Sequence, residues 1–292
     1  MYKRIVVAVG DYPELDTALE YAIALAADSD AELSLLRVCT VPLIFGALDM
    51  VTCSHLALEN VMEAHTHLLA CAAAAAEEAG VSYTTTARWG AIPDLLMRTA
   101  DEVECDVIVV GSPASPGWPW PYNRYLARQV MARARQPVLV VSQPPPASYG
   151  GPLWSRMLVV HDGSPGADMA VEYALTLADT AGLDTCILRL RTGGLSHKVP
   201  CLRPAMKAST ARSIAGTHPA LAESNDEILA PWGGISSILE TATERRCDVI
   251  VLGTHQGRSW QRLWYGHLAR GLMAMTDLPL LVVNRFTVCR YA

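Results

Sequence analysis

The chain of 292 residues carries one segment twice. "CDVIVVGSPASPGWPWPYNRYLARQVMARARQPVLVV" (Cys105–Val141) aligns without a gap on "CDVIVLGTHQGRSWQRLWYGHLARGLMAMTDLPLLVV" (Cys247–Val283). A second block, Ile5–Val38, aligns equally well on Met157–Leu190, with Glu-Tyr-Ala in register at Glu20–Ala22 and Glu172–Ala174. A repeat period near half the chain length implies a duplicated domain rather than a solenoid. The connection between the two blocks is ten residues shorter in the second copy. Ser142–Pro152, "SQPPPASYGGP", cannot continue a strand or a helix and reads as the joint. The expected organisation is therefore a domain at 1–143, a linker at 144–152 and a domain at 153–292.

Each copy alternates strand and helix. Ile5–Val9 and Met157–His161 are short, mostly apolar runs suited to strands buried on both faces. Asp16–Ala27 and Asp168–Asp179 have helical spacing, with Asp16 and Asp168 as N-caps or first-turn acids. Leu33–Val38 and Thr185–Leu190 are second strands. In the first copy an alanine-rich helix (Leu56–Gly80), a strand (Ser82–Arg88) and a helix (Ile92–Glu104) follow. "DVIVVG" and "DVIVLG" are fourth strands, "PVLVV" and "PLLVV" fifth strands. Arg191–Asp226 lacks clear periodicity, although "AMKASTARSIAG" suits a short helix. The fold class expected is α/β: two tandem domains, each a parallel sheet flanked by helices, with ligands outside the carboxyl ends of the strands.

A first strand leading into Asp162-Gly163-Ser164, and a later strand ending in Gly253 with Gly266 at its proper distance, resemble the universal stress protein family. The "PLLVV" ending agrees, and the resemblance covers both copies. It implies two adenine-nucleotide-hydrolase-like (Rossmann-like) domains of five parallel strands. It also implies a non-catalytic stress-response protein of the cytoplasm, binding ATP or a related adenine nucleotide. In the ATP-binding branch the strand-end aspartate contacts the nucleotide, and a glycine loop holds ribose and phosphates through backbone N–H groups. Carried onto the second copy, this implies Asp162, Gly163, Ser164, Gly253, His255, Gln256, Gly257, Gly266 and His267 as the binding set. Gln256 stands where the second loop glycine belongs, and His267 replaces a small hydroxyl residue. The first copy departs further: Gly10 sits at the aspartate position, Ala114 at the second glycine, and Arg124-Tyr125 at the terminal pair. Its loop "PASPGWPWPY" is proline-rich, so it lacks N–H donors and reads as a plug in a vacated pocket. The resemblance further implies an intramolecular pseudo-dimer through the fifth strands, with a homodimer as an extension.

Alternatives remain open. His161, His255 and His267 could converge with Asp162 on a divalent metal, against the commoner role of strand-end histidines as hydrogen-bonded or solvent-facing groups. His55, His65 and His67 read as a solvated face of the long helix. A nucleotide-hydrolysing enzyme, or a ligand-free scaffold for a protein or a hydrophobic small molecule, competes with the binding role. No nucleophile elbow, phosphate loop or dinucleotide fingerprint is present, so no catalytic residue is assigned. A net charge of −6 provides no basic field for nucleic acid. No apolar run approaches the ~20 residues of a membrane span, and the start "MYKRIVVAVGD" is too short in apolar residues for a signal peptide. Eight cysteines without a Cys-x-x-Cys pair suggest reduced, buried thiols.

Overall fold

The computed structural model describes residues 2–10, 13–39, 55–112, 122–146, 152–191, 226–231, 234–254 and 261–284. The chain divides into two compact units, the first ending at Leu153 and the second starting at Trp154.

The first unit runs β1 (Arg4–Val9), α1 (Pro13–Ser29), β2 (Glu32–Cys39), α2 (His55–Glu78), β3 (Tyr83–Trp89), α3 (Ile92–Glu102), β4 (Val107–Gly111), α4 (Tyr122–Arg133) and β5 (Val138–Val141). All strand pairs are parallel, in the order β3-β2-β1-β4-β5. The second unit repeats the plan with β6 (Arg156–His161), α5 (Pro165–Ala181), β7 (Asp184–Arg191), β8 (Asp226–Pro231), α6 (Gly234–Glu244), β9 (Val249–Gly253), α7 (Gln261–Met275) and β10 (Leu280–Val283). Its order is β8-β7-β6-β9-β10, again parallel. In each unit the chain winds outward one way from the first strand and then crosses back to its other side. A crevice opens at that reversal, outside the carboxyl ends of β1 and β4, or of β6 and β9.

Burial explains the sequence patterns. Every residue of β4, β5, β9 and β10 is buried, as a parallel strand covered on both faces requires. β3 has only half-buried and exposed residues, as suits an edge strand. Among the described residues no helix is long and apolar enough to cross a membrane.

The duplication is also written in the turns. Asp30 and Gly182 hold φ of 53° and 66° at aligned positions, and so do Glu104 and Arg246 at 51° and 52°. Each follows a helix, and the next residue donates its N–H back into the last turn: Ala31 to Ala26 O, Leu183 to Ala178 O, Cys105 to Ala100 O and Cys247 to Ala242 O. This is the left-handed helix stop that satisfies otherwise orphaned carbonyls. The aspartate of each "CDVIV" has a structural role. Asp106 Oδ2 accepts the N–H groups of Lys3 and Arg4 at 2.7 and 2.9 Å. Asp248 Oδ2 accepts those of Ser155 and Arg156 at 2.6 and 2.9 Å. One carboxylate thus ties the amino end of the fourth strand to that of the first, twice in the chain.

One expectation changes in detail, and two open points are settled. The helix expected at 92–104 stops at Glu102, because Val103 and Glu104 form the turn. Asp168 is a first-turn acid, and the cap of α5 is Ser164. Where the span that lacked periodicity ends, Asp226–Pro231 forms β8 and pairs with β7. The helix expected at "AMKASTARSIAG" lies outside the described residues, as do "VPLIFGALDMV" and the loop at 113–121.

Candidate functional site

In the second unit the crevice is floored by the ends of β6 and β9. β6 delivers His161 at its last position, and the chain leaves through Asp162, Gly163 and Ser164 into α5. Gly163 has φ of 83°, a conformation glycine adopts without strain. The turn is closed by its own polar groups. Asp162 Oδ1 accepts the Ser164 N–H at 3.0 Å, and Ser164 Oγ accepts the Ala167 N–H at 3.1 Å. The Gly163 N–H donates to His161 Nδ1 at 3.3 Å. A ring nitrogen that accepts a backbone N–H carries no proton, so the imidazole proton sits on Nε2. From there it is donated to Asp168 Oδ1, 2.9 Å away on the first turn of α5. His161 is buried, whereas the Asp168 side chain is about half exposed.

Helix starts attract anions because their first N–H groups are unfilled. Here the N–H groups of Gly163, Ser164, Ala167 and Asp168 all have protein partners, and Pro165 has none to give. The Asp162 carboxylate, half-buried at the rim, is the charged group this turn carries to the crevice.

Gly253 ends β9, and its packing explains its identity. A Cβ there would lie 1.8 Å from Gly166 O, 2.3 Å from Gly166 C and 2.9 Å from Ala167 N. The first turn of α5 therefore rests directly on the backbone of β9. The next residue, Thr254, donates its N–H to Val283 O at 2.9 Å and its hydroxyl to Asn284 Oδ1, which is fully buried. These bonds set the direction in which the loop after β9 departs. His255, Gln256 and Gly257 lie on that loop, outside the described residues. Gly266 and His267 lie on α7, with the His267 side chain outside the described set.

The sequence model of the universal stress protein family matches residues 1–142 and again 154–284. The chain belongs to the universal stress protein family. No curated protein matches the sequence. A universal stress protein from Archaeoglobus fulgidus DSM 4304 superposes with a TM-score of 0.73 at 16% identity, covering 97% of this chain and 98% of that one. A functionally unknown protein from Pseudomonas aeruginosa PAO1 gives 0.57 at 16% identity, over 99% and 95% of the two chains. A structure of the Archaeoglobus fulgidus universal stress protein in complex with dAMP gives 0.35 at 22% identity, over 48% of this chain and 97% of that one.

The two universal stress domains differ at their crevices. In the first, β1 ends at Val9, aligned with His161, and leads to a buried Gly10. Arg37 of β2 is 4% exposed there, and its Nη1 donates to Val9 O at 3.1 Å. Its Nε donates to His65 Nδ1 at 2.9 Å, and the His65 ring meets Trp89 edge-on at 6.1 Å. The expectation of a solvated histidine face on α2 is thus corrected at His65, which is half-buried and holds the arginine. His67 is exposed, and the His55 side chain lies outside the described residues. Arg189 is the aligned arginine of the second copy and pairs in register with His161. Sequence reasoning missed both arginines, although an arginine at the same offset in two apolar strands was visible.

The metal reading loses His161, whose two ring nitrogens are committed to Gly163 and Asp168. Among the described residues no group of three or more His, Cys, Asp or Glu is arranged to hold a metal ion. Cys39, Cys105, Cys186 and Cys247 are free and buried, and Cys71 is free and exposed. Burial, with Cys186 nearby, pushes the Cys247 thiol up to about 12. Burial also raises the Cys39 thiol, against the opposing charge of Arg37.

Proposed function

We propose that this universal stress protein is a non-catalytic, cytoplasmic stress-response protein that binds ATP or a related adenine nucleotide in its second domain. The binding set proposed is Asp162, Gly163, Ser164, Gly253, His255, Gln256, Gly257, Gly266 and His267. Within it, Asp162 acts through its carboxylate and Ser164 shapes the turn. Gly253 acts indirectly, by letting α5 approach β9. The observation that carries the reading is the Asp162 carboxylate, braced by the Ser164 N–H at 3.0 Å where β6 and β9 open the crevice. The first domain offers Gly10 there instead, and a buried guanidinium beside it. The same proposal takes 144–152 as the linker and the two halves as an intramolecular pseudo-dimer.

The test is mass spectrometry of small molecules retained through gentle purification, with thermal melting in ATP. At a hundredfold excess over its dissociation constant a ligand stabilises by about 2.7 kcal/mol. The expected result is recovery of an adenine nucleotide and a rise in melting temperature, both lost in Asp162→Ala. Absence of any shift with ATP, ADP or AMP would favour the ligand-free scaffold.

A further inference from the structure

We propose that His161 is a positioning residue for this site: it holds the Asp162–Gly163–Ser164 turn in one geometry, and protonation of its ring releases that turn. The bearing on ligand rests on the nucleotide reading above; the positioning itself does not.

Three observations lead here. First, the position has no intrinsic need for a polar group, because the aligned residue of the first copy is Val9, also buried. Second, a buried imidazole must satisfy both nitrogens, and His161 does so across three segments. It belongs to β6, accepts from the loop at Gly163 and donates to α5 at Asp168. Third, the turn depends on short-range bonds in series: Gly163 to His161, Ser164 to Asp162, Ala167 to Ser164. The first link is the one that a change in protonation reverses.

A proton added at Nδ1 turns that nitrogen from acceptor into donor, facing the Gly163 N–H, and the bond is lost. The Nε2–H bond to Asp168 survives and gains charge assistance. The effect is therefore local: α5 stays tethered while the glycine turn lets go. The charged groups around His161 are Asp168 of α5, to which it is bonded, Arg189 of β7, its register partner, and Asp162, the next residue in the chain; the neighbouring end of β9 holds uncharged Leu252 and Gly253.

Nuclear magnetic resonance on the ¹⁵N-labelled full chain tests this. Long-range ¹⁵N–¹H spectra should show the Nε2–H tautomer when the ring is neutral. The Gly163 amide shift should then follow the His161 ring titration with the same midpoint. In H161N, whose side-chain oxygen accepts near the Nδ1 position, the Gly163 amide should lose that pH dependence. In H161V, which copies the residue the first domain already tolerates, Gly163 exchange should accelerate about five- to tenfold. An Nδ1–H tautomer, or a Gly163 amide indifferent to the ring, would overturn the proposal. In the ligand arm, ATP affinity should fall about five- to tenfold as the ring protonates and stay flat in H161N. Wild-type ATP affinity without pH dependence would overturn the coupling. No ATP binding at any pH would remove the nucleotide reading and that coupling, while the amide result would still decide the positioning.

Discussion

The sharpest consequence of the packing concerns Gly253. Replacing it with alanine adds one methyl group, which would sit 1.8 Å from Gly166 O and 2.3 Å from Gly166 C. Both obstacles are backbone atoms in the first turn of α5, so no rotamer change relieves the overlap and the helix must move. Overpacking typically costs 1–3 kcal/mol, and rigid neighbours place this case near the top, at about 3 kcal/mol. At roughly 3 °C per kcal/mol for a domain of this size, the apparent melting temperature falls by roughly 10 °C. Two other glycines calibrate the argument. At Gly271 on α7 the new methyl would meet Ile235 Cδ1 at 2.0 Å, the tip of a flexible side chain. A rotamer shift there costs about 1 kcal/mol, and the helical preference for alanine returns a similar amount, so Gly271→Ala should be close to neutral. At Gly234 nothing lies within 4 Å, and Gly234→Ala should stay within about 0.5 kcal/mol of wild type. Urea unfolding followed by circular dichroism gives all three values. A Gly253→Ala protein as stable as wild type would refute the packing argument. If that variant also lost nucleotide, Gly253 would be a ligand contact in its own right.

Other expectations follow from single interactions. Asp248→Asn weakens two bonds from backbone N–H groups to a carboxylate and should cost about 1.5–3 kcal/mol in urea unfolding; Asp106→Asn should cost the same in the first unit, and a loss in only one would contradict their equivalence. Iodoacetamide followed by peptide mapping should modify Cys71 rapidly at neutral pH and leave Cys39, Cys105, Cys186 and Cys247 untouched until the protein unfolds; rapid labelling of Cys247 would contradict its burial. The Glu102 carboxylate is held below its ordinary range by a hydrogen bond from Arg88 and then one from Arg98. Its folded value is depressed, so its stabilising contribution is present above the unfolded value and lost as pH falls through the folded one. The carboxyl resonance of Glu102 should titrate below free glutamate and move up in Arg88→Ala; no movement would mean the ion pair is not formed in solution.

Much of the architecture was legible because buried parallel strands announce themselves. "DVIVVG" and "DVIVLG" could hardly be anything else, and the repeat fixed their order. β8 escaped notice because "DEILAP" opens on two acids and ends on proline, which hides a strand when neighbours supply its pairing. His65 was misjudged for a related reason. Spacing along α2 says which histidines share a face, but not that Arg37 rises from the sheet beneath them. At the site, the Asp162-Gly163-Ser164 turn was readable from residue types alone. The engagement of its N–H groups was not, since that depends on a histidine two residues back and a carboxylate one helical turn ahead.

The two copies agree at one end of the sheet and disagree at the other, and the reason is physical. At the amino ends of the strands, Asp106 and Asp248 perform the same task with bond lengths that match within 0.1 Å. That task, satisfying two strand-start N–H groups next to the core, is demanded by the fold, and substitution there is paid for in stability. At the carboxyl ends the fold demands only that the strands stop and the backbone groups find partners. Val9 with the Arg37–His65 pair meets that demand in one domain, and His161 with Asp168 and Gly163 meets it in the other. Either solution closes the crevice floor, so the fold alone does not choose between them. The domain that carries the aspartate also carries the histidine that holds the residue after it, Gly163.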